Sequence, residues 1–195
     1  MNRAAFLDRD GVVNEKRPQG EYVTRWEEMH FLPGVAAAIA MLNRAGFRVI
    51  VVSNQRCVAK GLITTADLEA MHQRMCNALA SAGATIDGAY YCPHDTEPSC
   101  NCRKPAPGML LDAARAHRID LSASWMIGDS ETDVEAGRNA GCKTARLLSC
   151  DAAADGNADM VASTLVAVVH KILKWEESPT ADAIFNEQDG RVGEP

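Results

Sequence analysis

The chain has 195 residues, 47% of them apolar and 24% charged, a length and balance that suit one soluble domain with a single sizeable core. Its formal charge of −6 argues against general binding to nucleic acid or to an anionic membrane surface, while leaving room for a local basic pocket. No apolar run approaches the roughly 20 residues that cross a bilayer, and acid comes too early in "MNRAAFLDRD" for a signal peptide, so a cytoplasmic location is expected.

In chain order, "AAFL" predicts a strand, followed by a long loop and a helix over "PGVAAAIAMLNRAG" with Pro33 in its first turn. "FRVIVVS" predicts a buried strand rich in β-branched residues. "TTADLEAMHQRMCNALASAG" predicts a helix with a Thr or Asp cap and Gly83 at its end. "GAYYC" is a short strand, "APGMLLDAARAHR" a helix, "SWMIGD" a strand and "SETDVEAGRNAG" a helix. "CKTARLL" is a strand and "STLVAVVHKILKW" a last helix. Twice a helix ends in Ala-Gly and a strand follows at once. This alternation predicts an α/β fold, a Rossmann-like parallel sheet with helices on both faces. Segment 151–158 reads as a surface loop. The domain is placed at 1–175, with 176–195 a flexible tail.

In such sheets ligands bind beyond the carboxyl ends of the strands, where the strand order switches. Asp8, Ser53 and Asp129 each follow a predicted strand and are expected to converge there. Asp8 and Asp10 stand two apart in "FLDRDGVVNE", and their repulsion is roughly 1–4 kcal/mol at effective dielectrics between those of water and a protein surface. A cation would remove it. Gly11 permits a turn that aims both carboxylates at one point. Each further signal is weak alone. Ser53 and Asn54 are ordinary turn residues, Lys104 in "CRKPAPG" an ordinary surface charge, and Asp133 in "GDSETD" an ordinary helix-dipole complement.

Seven cysteines without a secretory signal predict free thiols rather than disulfides. Cys57, Cys76, Cys142 and Cys150 are scattered and read as small buried hydrophobes. In "CPHDTEPSCNC", Cys92, His94, Cys100 and Cys102 form a C-x-H, five residues, C-x-C pattern. Three thiolates and an imidazole are a tetrahedral Zn²⁺ set with no open position, hence structural. Tying down Cys102 would fix where Arg103 and Lys104 point. His72, His117 and His170 show no partner pattern.

Taken in order, DxD(G), hydrophobic–Ser–Asn, Lys and GDxxxD resemble the four-part signature of the haloacid dehalogenase superfamily of phosphohydrolases, over residues 4 to about 148. "GEYV", "FLPGV", "GAYYCPH" and "CNCRKPAPGMLL" are similar to the D-glycero-D-manno-heptose 1,7-bisphosphate phosphatases, whose sister enzymes are the histidinol-phosphate phosphatases. The resemblance implies a Mg²⁺-dependent monoester hydrolase with an aspartyl-phosphate intermediate, removing the C7 phosphate on the route to nucleotide-activated heptose and lipopolysaccharide core precursors. It implies that Asp8 is the nucleophile and Asp10 the acid and then the base. Mg²⁺ would be held by Asp8, Asp129 and Asp10, the last through its carbonyl. Ser53 and Lys104 would grip the phosphoryl oxygens, Arg103 and Asn54 the rest of the substrate, and Asp133 would orient Lys104 or a metal-bound water. The chain reads "SNQRCVAKG" where the family often has "TNQSGIARG". Arg56 therefore either meets a second phosphate or faces solvent.

The intervals between motifs hold no cap domain, so the crevice is expected to be open and covered by loops. The expected partner is a small phosphorylated sugar, with no nucleic acid and no membrane, and the protein acts as a monomer. Histidinol phosphate is the nearest alternative substrate, and a polynucleotide 3′-phosphate a remoter one that the acidic balance disfavours. A phospho-acceptor signalling domain is the alternative of another class, but its acceptor would stand on a middle strand rather than in a DxD on the first.

Overall fold

The computed structural model describes residues 1–97, 99–148 and 157–177. Six strands form one parallel sheet in the order β3-β2-β1-β4-β5-β6. They are β1 (Arg3–Leu7), β2 (Phe47–Asn54), β3 (Gly88–Cys92), β4 (Trp125–Gly128), β5 (Lys143–Leu147) and β6 (Met160–Ala162). The helices are α1 (Val35–Arg44), α2 (Thr65–Ser81), α3 (Gly108–His117), α4 (Glu131–Ala140) and α5 (Leu165–Glu177).

Successive side chains of a strand face opposite sides, and the core divides accordingly. Ala5, Leu7, Val49, Val51, Trp125 and Ile127 pack with α1 and α5 on one face. Ala4, Phe6, Ile50, Val52 and Met126 pack with α3 and α4 on the other. Burial on both faces is why these strands read as unbroken apolar runs rather than alternating ones. Each fully buried Leu or Ile contributes about 1.5–3 kcal/mol. Trp125 and Phe6, both fully buried, sit at the centre of the two layers.

Helix ends follow local chemistry. Thr64 and Asp67 form a capping box on α2, and Ser130 and Asp133 form one on α4. Gly141 closes α4 at φ +85. Pro33 is not in the first turn of α1, as the sequence suggested. Gly34 caps the helix, which starts at Val35. α5 continues two residues past the expected Trp175, to Glu177. β6 was not legible, because three residues show no periodicity. It is held beside β5 through Asp159, which accepts from the Thr144 backbone and hydroxyl. Cys150, most of the expected 151–158 loop and the tail after Glu177 lie outside the described residues.

The chain builds β1, β2 and β3 outward on one side, then returns to lay β4, β5 and β6 on the other. The order therefore switches between β1 and β4. The crevice expected there opens beyond Leu7 and Gly128, between Asp8 and Asp129.

Candidate active site

Asp8 leaves β1 with its N–H bonded to the Ile127 carbonyl at 2.9 Å, which ties the first motif to β4. The chain then turns tightly, the Arg9 carbonyl accepting from Val13 and Asn14 at 2.8 and 3.0 Å. Gly11 makes this turn at φ +97, and the space its Cβ would fill is taken by the Asp129 carboxylate. Any side chain there would be strained and would also push Asp129 away. Both residues line one crevice, but their carboxylates hold different partners. Asp8 faces Lys104, whereas Asp10 is gripped by Arg9 (Nη2 at 3.0 and 3.1 Å), Asn14 (2.9 Å) and Gln55 (3.0 Å). Burial would raise the Asp10 pKa, but Arg9, Asn14 and Gln55 outweigh it and hold the group below the usual carboxylate range.

Lys104 is 3% exposed and spends its ammonium on three acceptors: Asp8 at 2.8 Å, the Val52 carbonyl at 2.9 Å and Asp133 at 2.5 Å. That satisfies all three donors of a lysine. Burial alone would depress its pKa, yet Asp133 and Asp8 outweigh burial and hold it above the usual value. Asp133 is thus paired with Lys104 through one oxygen, while its other oxygen closes the α4 capping box on Ser130. Asn54 lines the crevice as well, and its carboxamide donates to the Lys104 carbonyl and accepts from the Lys104 N–H, both at 3.0 Å, which fixes the lysine's backbone. The Ser53 hydroxyl, 1% exposed, accepts from Gln55 at 2.7 Å and lines the same crevice.

The carboxylates of Asp8, Asp129 and Asp133 lie within 4.8 Å of one another. Burial is the main force on Asp8, and Asp133 and Asp10 add to it. Against the pull of Lys104 they push its carboxyl up to about 7. Asp129 is also raised, first by burial and despite Lys16. Its Oδ2 receives Lys16 at 2.6 Å, while Oδ1 is buried without a hydrogen-bond partner. A buried anionic oxygen with no donor is the place for a hard cation. The Asp10 carboxylate is not part of this cluster, which leaves its main-chain carbonyl as the group it could offer.

The crevice holds about 340 Å³ and is lined by Asp8, Ser53, Arg103, Lys104 and Asp129, with residues 16–23 forming one wall. That loop stands in the place of a cap domain. Arg103 lines the outer part and donates to the His94 carbonyl at 3.4 Å. Arg56 neither meets the crevice nor stands free in solvent. It pairs with Asp95 at 2.5 Å.

Beside the crevice, Cys92, His94, Cys100 and Cys102 close into one cluster. The sulfur–sulfur distances are 3.4 and 3.5 Å, and His94 Nδ1 lies 3.2 and 3.5 Å from Cys102 and Cys92. A tetrahedron of thiolates about 2.3 Å from zinc has edges of about 3.8 Å, close to these values. Sequence reasoning missed Arg9, Asn14, Lys16 and Gln55. They stand next to motif residues, but nothing in their types marks a role before the turn brings them together.

A parallel α/β sheet with DxD after its first strand, a buried lysine and GDxxxD beyond the switch point defines hydrolases of the haloacid dehalogenase type. The family model described as HAD-hydrolase-like matches residues 101–168. The chain belongs to the family of the D-glycero-D-manno-heptose 1,7-bisphosphate 7-phosphatases. It is 44% identical over 145 residues to the D-glycero-beta-D-manno-heptose-1,7-bisphosphate 7-phosphatase of Rhodopseudomonas palustris, covering 71% of this chain and 79% of that one. It is 37% identical to the D-glycero-alpha-D-manno-heptose-1,7-bisphosphate 7-phosphatase of Mycobacterium bovis, over 85% of this chain and 90% of that one. The crystal structure of D,D-heptose 1,7-bisphosphate phosphatase from B. bronchiseptica, complexed with magnesium and phosphate, superposes with a TM-score of 0.80 at 36% identity. That match covers 89% of this chain and 99% of the other.

Proposed function

We propose that this protein hydrolyses the C7 phosphate of D-glycero-D-manno-heptose 1,7-bisphosphate through a phosphorylated Asp8. The observation that carries the reading is the placement of Asp8, Lys104 and Arg103 in one crevice. A pinned lysine faces the nucleophile, and a second, less buried cation next to it in the chain lines the same crevice. Asp8 attacks phosphorus in line, and the leaving alkoxide takes a proton from Asp10. Asp10 then takes a proton from the water that frees Asp8. Lys104 and Ser53 hold the phosphoryl oxygens. Mg²⁺, held by Asp8, Asp129 and the Asp10 carbonyl, would supply the positive charge that lets an anionic nucleophile approach a phosphate. The orphaned Asp129 oxygen supports that assignment.

The test is phosphate release from heptose 1,7-bisphosphate, heptose 7-phosphate and histidinol phosphate. The bisphosphate should be preferred, because Arg103 can grip the distal C1 phosphate bidentately. Arg103→Ala should erase about one to two decades of that preference, the worth of a charge-assisted hydrogen bond. Faster turnover of histidinol phosphate would overturn the substrate and leave the phosphatase standing.

We also assign a structural Zn²⁺ to Cys92, His94, Cys100 and Cys102. Metal analysis of reduced, gel-filtered protein should find one zinc per chain, separate from exchangeable Mg²⁺. Cys102→Ser should lose the zinc and lower kcat/KM about 10-fold or more by loosening Arg103 and Lys104. Zinc-free protein with full activity would sink the assignment.

A further inference from the structure

His72, on α2, is buried at 5% exposure and has no part in the chemistry above. Its Nε2 lies 3.4 Å from Nη1 of Arg9. Arg9 is itself fully buried, and the rest of its guanidinium is on Asp10 through Nη2 and, at 3.3 Å, Nε. A guanidinium has donors only. The contact therefore requires the lone pair on His72 Nε2 and the ring proton on Nδ1. Burial, and then the Arg9 charge, push His72 down to about 4, which keeps the ring neutral and able to accept. Tyr91 backs the ring at 5.4 Å between centroids. A line of buried groups thus runs from α2 to the loop after β1. It ends on a carboxylate whose other contacts come from Asn14 and Gln55.

We propose that His72 is a positioning residue for proton transfer to the leaving group: its Nε2 fixes the Arg9 guanidinium, and Arg9 fixes the Asp10 carboxylate. The proposal rests on Asp10 as the acid–base group of the reading above. Without the acceptor, Nη1 is left unpaired in a dry site. The guanidinium must turn to find a partner, and Asp10 turns with it. The cost falls on the step that needs a proton delivered. A sugar alkoxide is a poor leaving group and depends on that proton, whereas p-nitrophenolate departs without it.

Three variants separate this from a packing role. Gln at 72 places its Oε1 near the position of Nε2, Asn is one bond too short, and Leu has no acceptor. Turnover is measured on heptose 1,7-bisphosphate and on p-nitrophenyl phosphate. His72→Asn and His72→Leu should lose about 10-fold in kcat/KM on the bisphosphate and no more than about 3-fold on the aryl ester, because kcat/KM covers only the steps through departure of the leaving group and not the later hydrolysis of phospho-Asp8 that both esters share. His72→Gln should recover to within about 3-fold of native on both. Equal losses on the two esters, or equal behaviour of Asn and Gln, would overturn the proposal. If His72→Leu fails to fold, the contrast between Asn and Gln decides alone. An Asp10→Asn control separates the two failures. If it turns over the bisphosphate at the native rate, the acid–base reading fails and takes the proposal with it. If it is crippled while His72→Asn and His72→Leu match native, only the role of His72 fails.

Discussion

Asp8→Asn protein should fold and yet release phosphate at least about 10⁴-fold more slowly than native on every ester, because the nucleophile is gone while the shape remains. The amide oxygen can still accept from Lys104, whose other two contacts, to Val52 and Asp133, are untouched. Stability gives a second readout. In metal-free protein the Asp8 carboxyl is pushed up to about 7, first by burial, against a value of roughly 4 in the unfolded chain. Between those values the folded state binds the extra proton, so this group's contribution to stability falls as pH rises through the window and is level above it. Asn has no such titration. With chelator present, the melting temperature of Asp8→Asn relative to native should therefore climb between about pH 4 and 7 and stay level beyond. Near-native phosphate release would remove Asp8 from the mechanism. A relative melting temperature that does not climb would mean that burial does not dominate at this carboxylate.

Much of the site was legible because its chemistry is carried by residue types at strand ends. Asp8, Ser53 and Asp129 follow apolar runs, and the ends of parallel strands on either side of a switch point meet whatever else the chain does. The cysteine cluster was legible for a similar reason, since its ligand types and spacing are short-range facts. Partnerships were not. Nothing in the sequence shows that Asn54 braces the Lys104 backbone, fifty residues on. Arg56 was expected either at a second phosphate or in solvent and is paired with Asp95. Arg9 and His72 are 63 residues apart, with α1, all of β2 and the first part of α2 between them, and only the packing of α2 brings them together. Side-chain direction after a turn with positive φ is likewise hidden in sequence. Asp8 and Asp10 are two apart in the chain and answer to different partners. β6 is a failure of another kind, three residues too few to show a period.

Lys104→Met should be the most damaging single change to stability, and it should also cut turnover heavily. The lysine is the only cation within hydrogen-bond distance that Asp8 and Asp133 are seen to share among the described residues, and all three are buried. Removing one partner of a buried ionic network costs about 3–5 kcal/mol, because the charges left behind have neither water nor a counter-ion. At about 2–4 °C per kcal/mol for a domain of this size, the melting temperature should fall by about 6–20 °C. Two additions separate charge from packing. Mg²⁺ at millimolar concentration should restore more stability to Lys104→Met than it adds to native protein, because the ion replaces a missing charge. Adding Asp133→Asn should recover part of the loss as well, by removing one of the two stranded carboxylates. Neither addition should restore turnover, which is expected to drop about 10²–10³-fold, since the phosphoryl group loses its preorganised positive partner. A Lys104→Met protein that melts like native, or one whose turnover Mg²⁺ alone restores, would show that the lysine is a surface charge drawn inward rather than the hinge between the nucleophile and the phosphate grip.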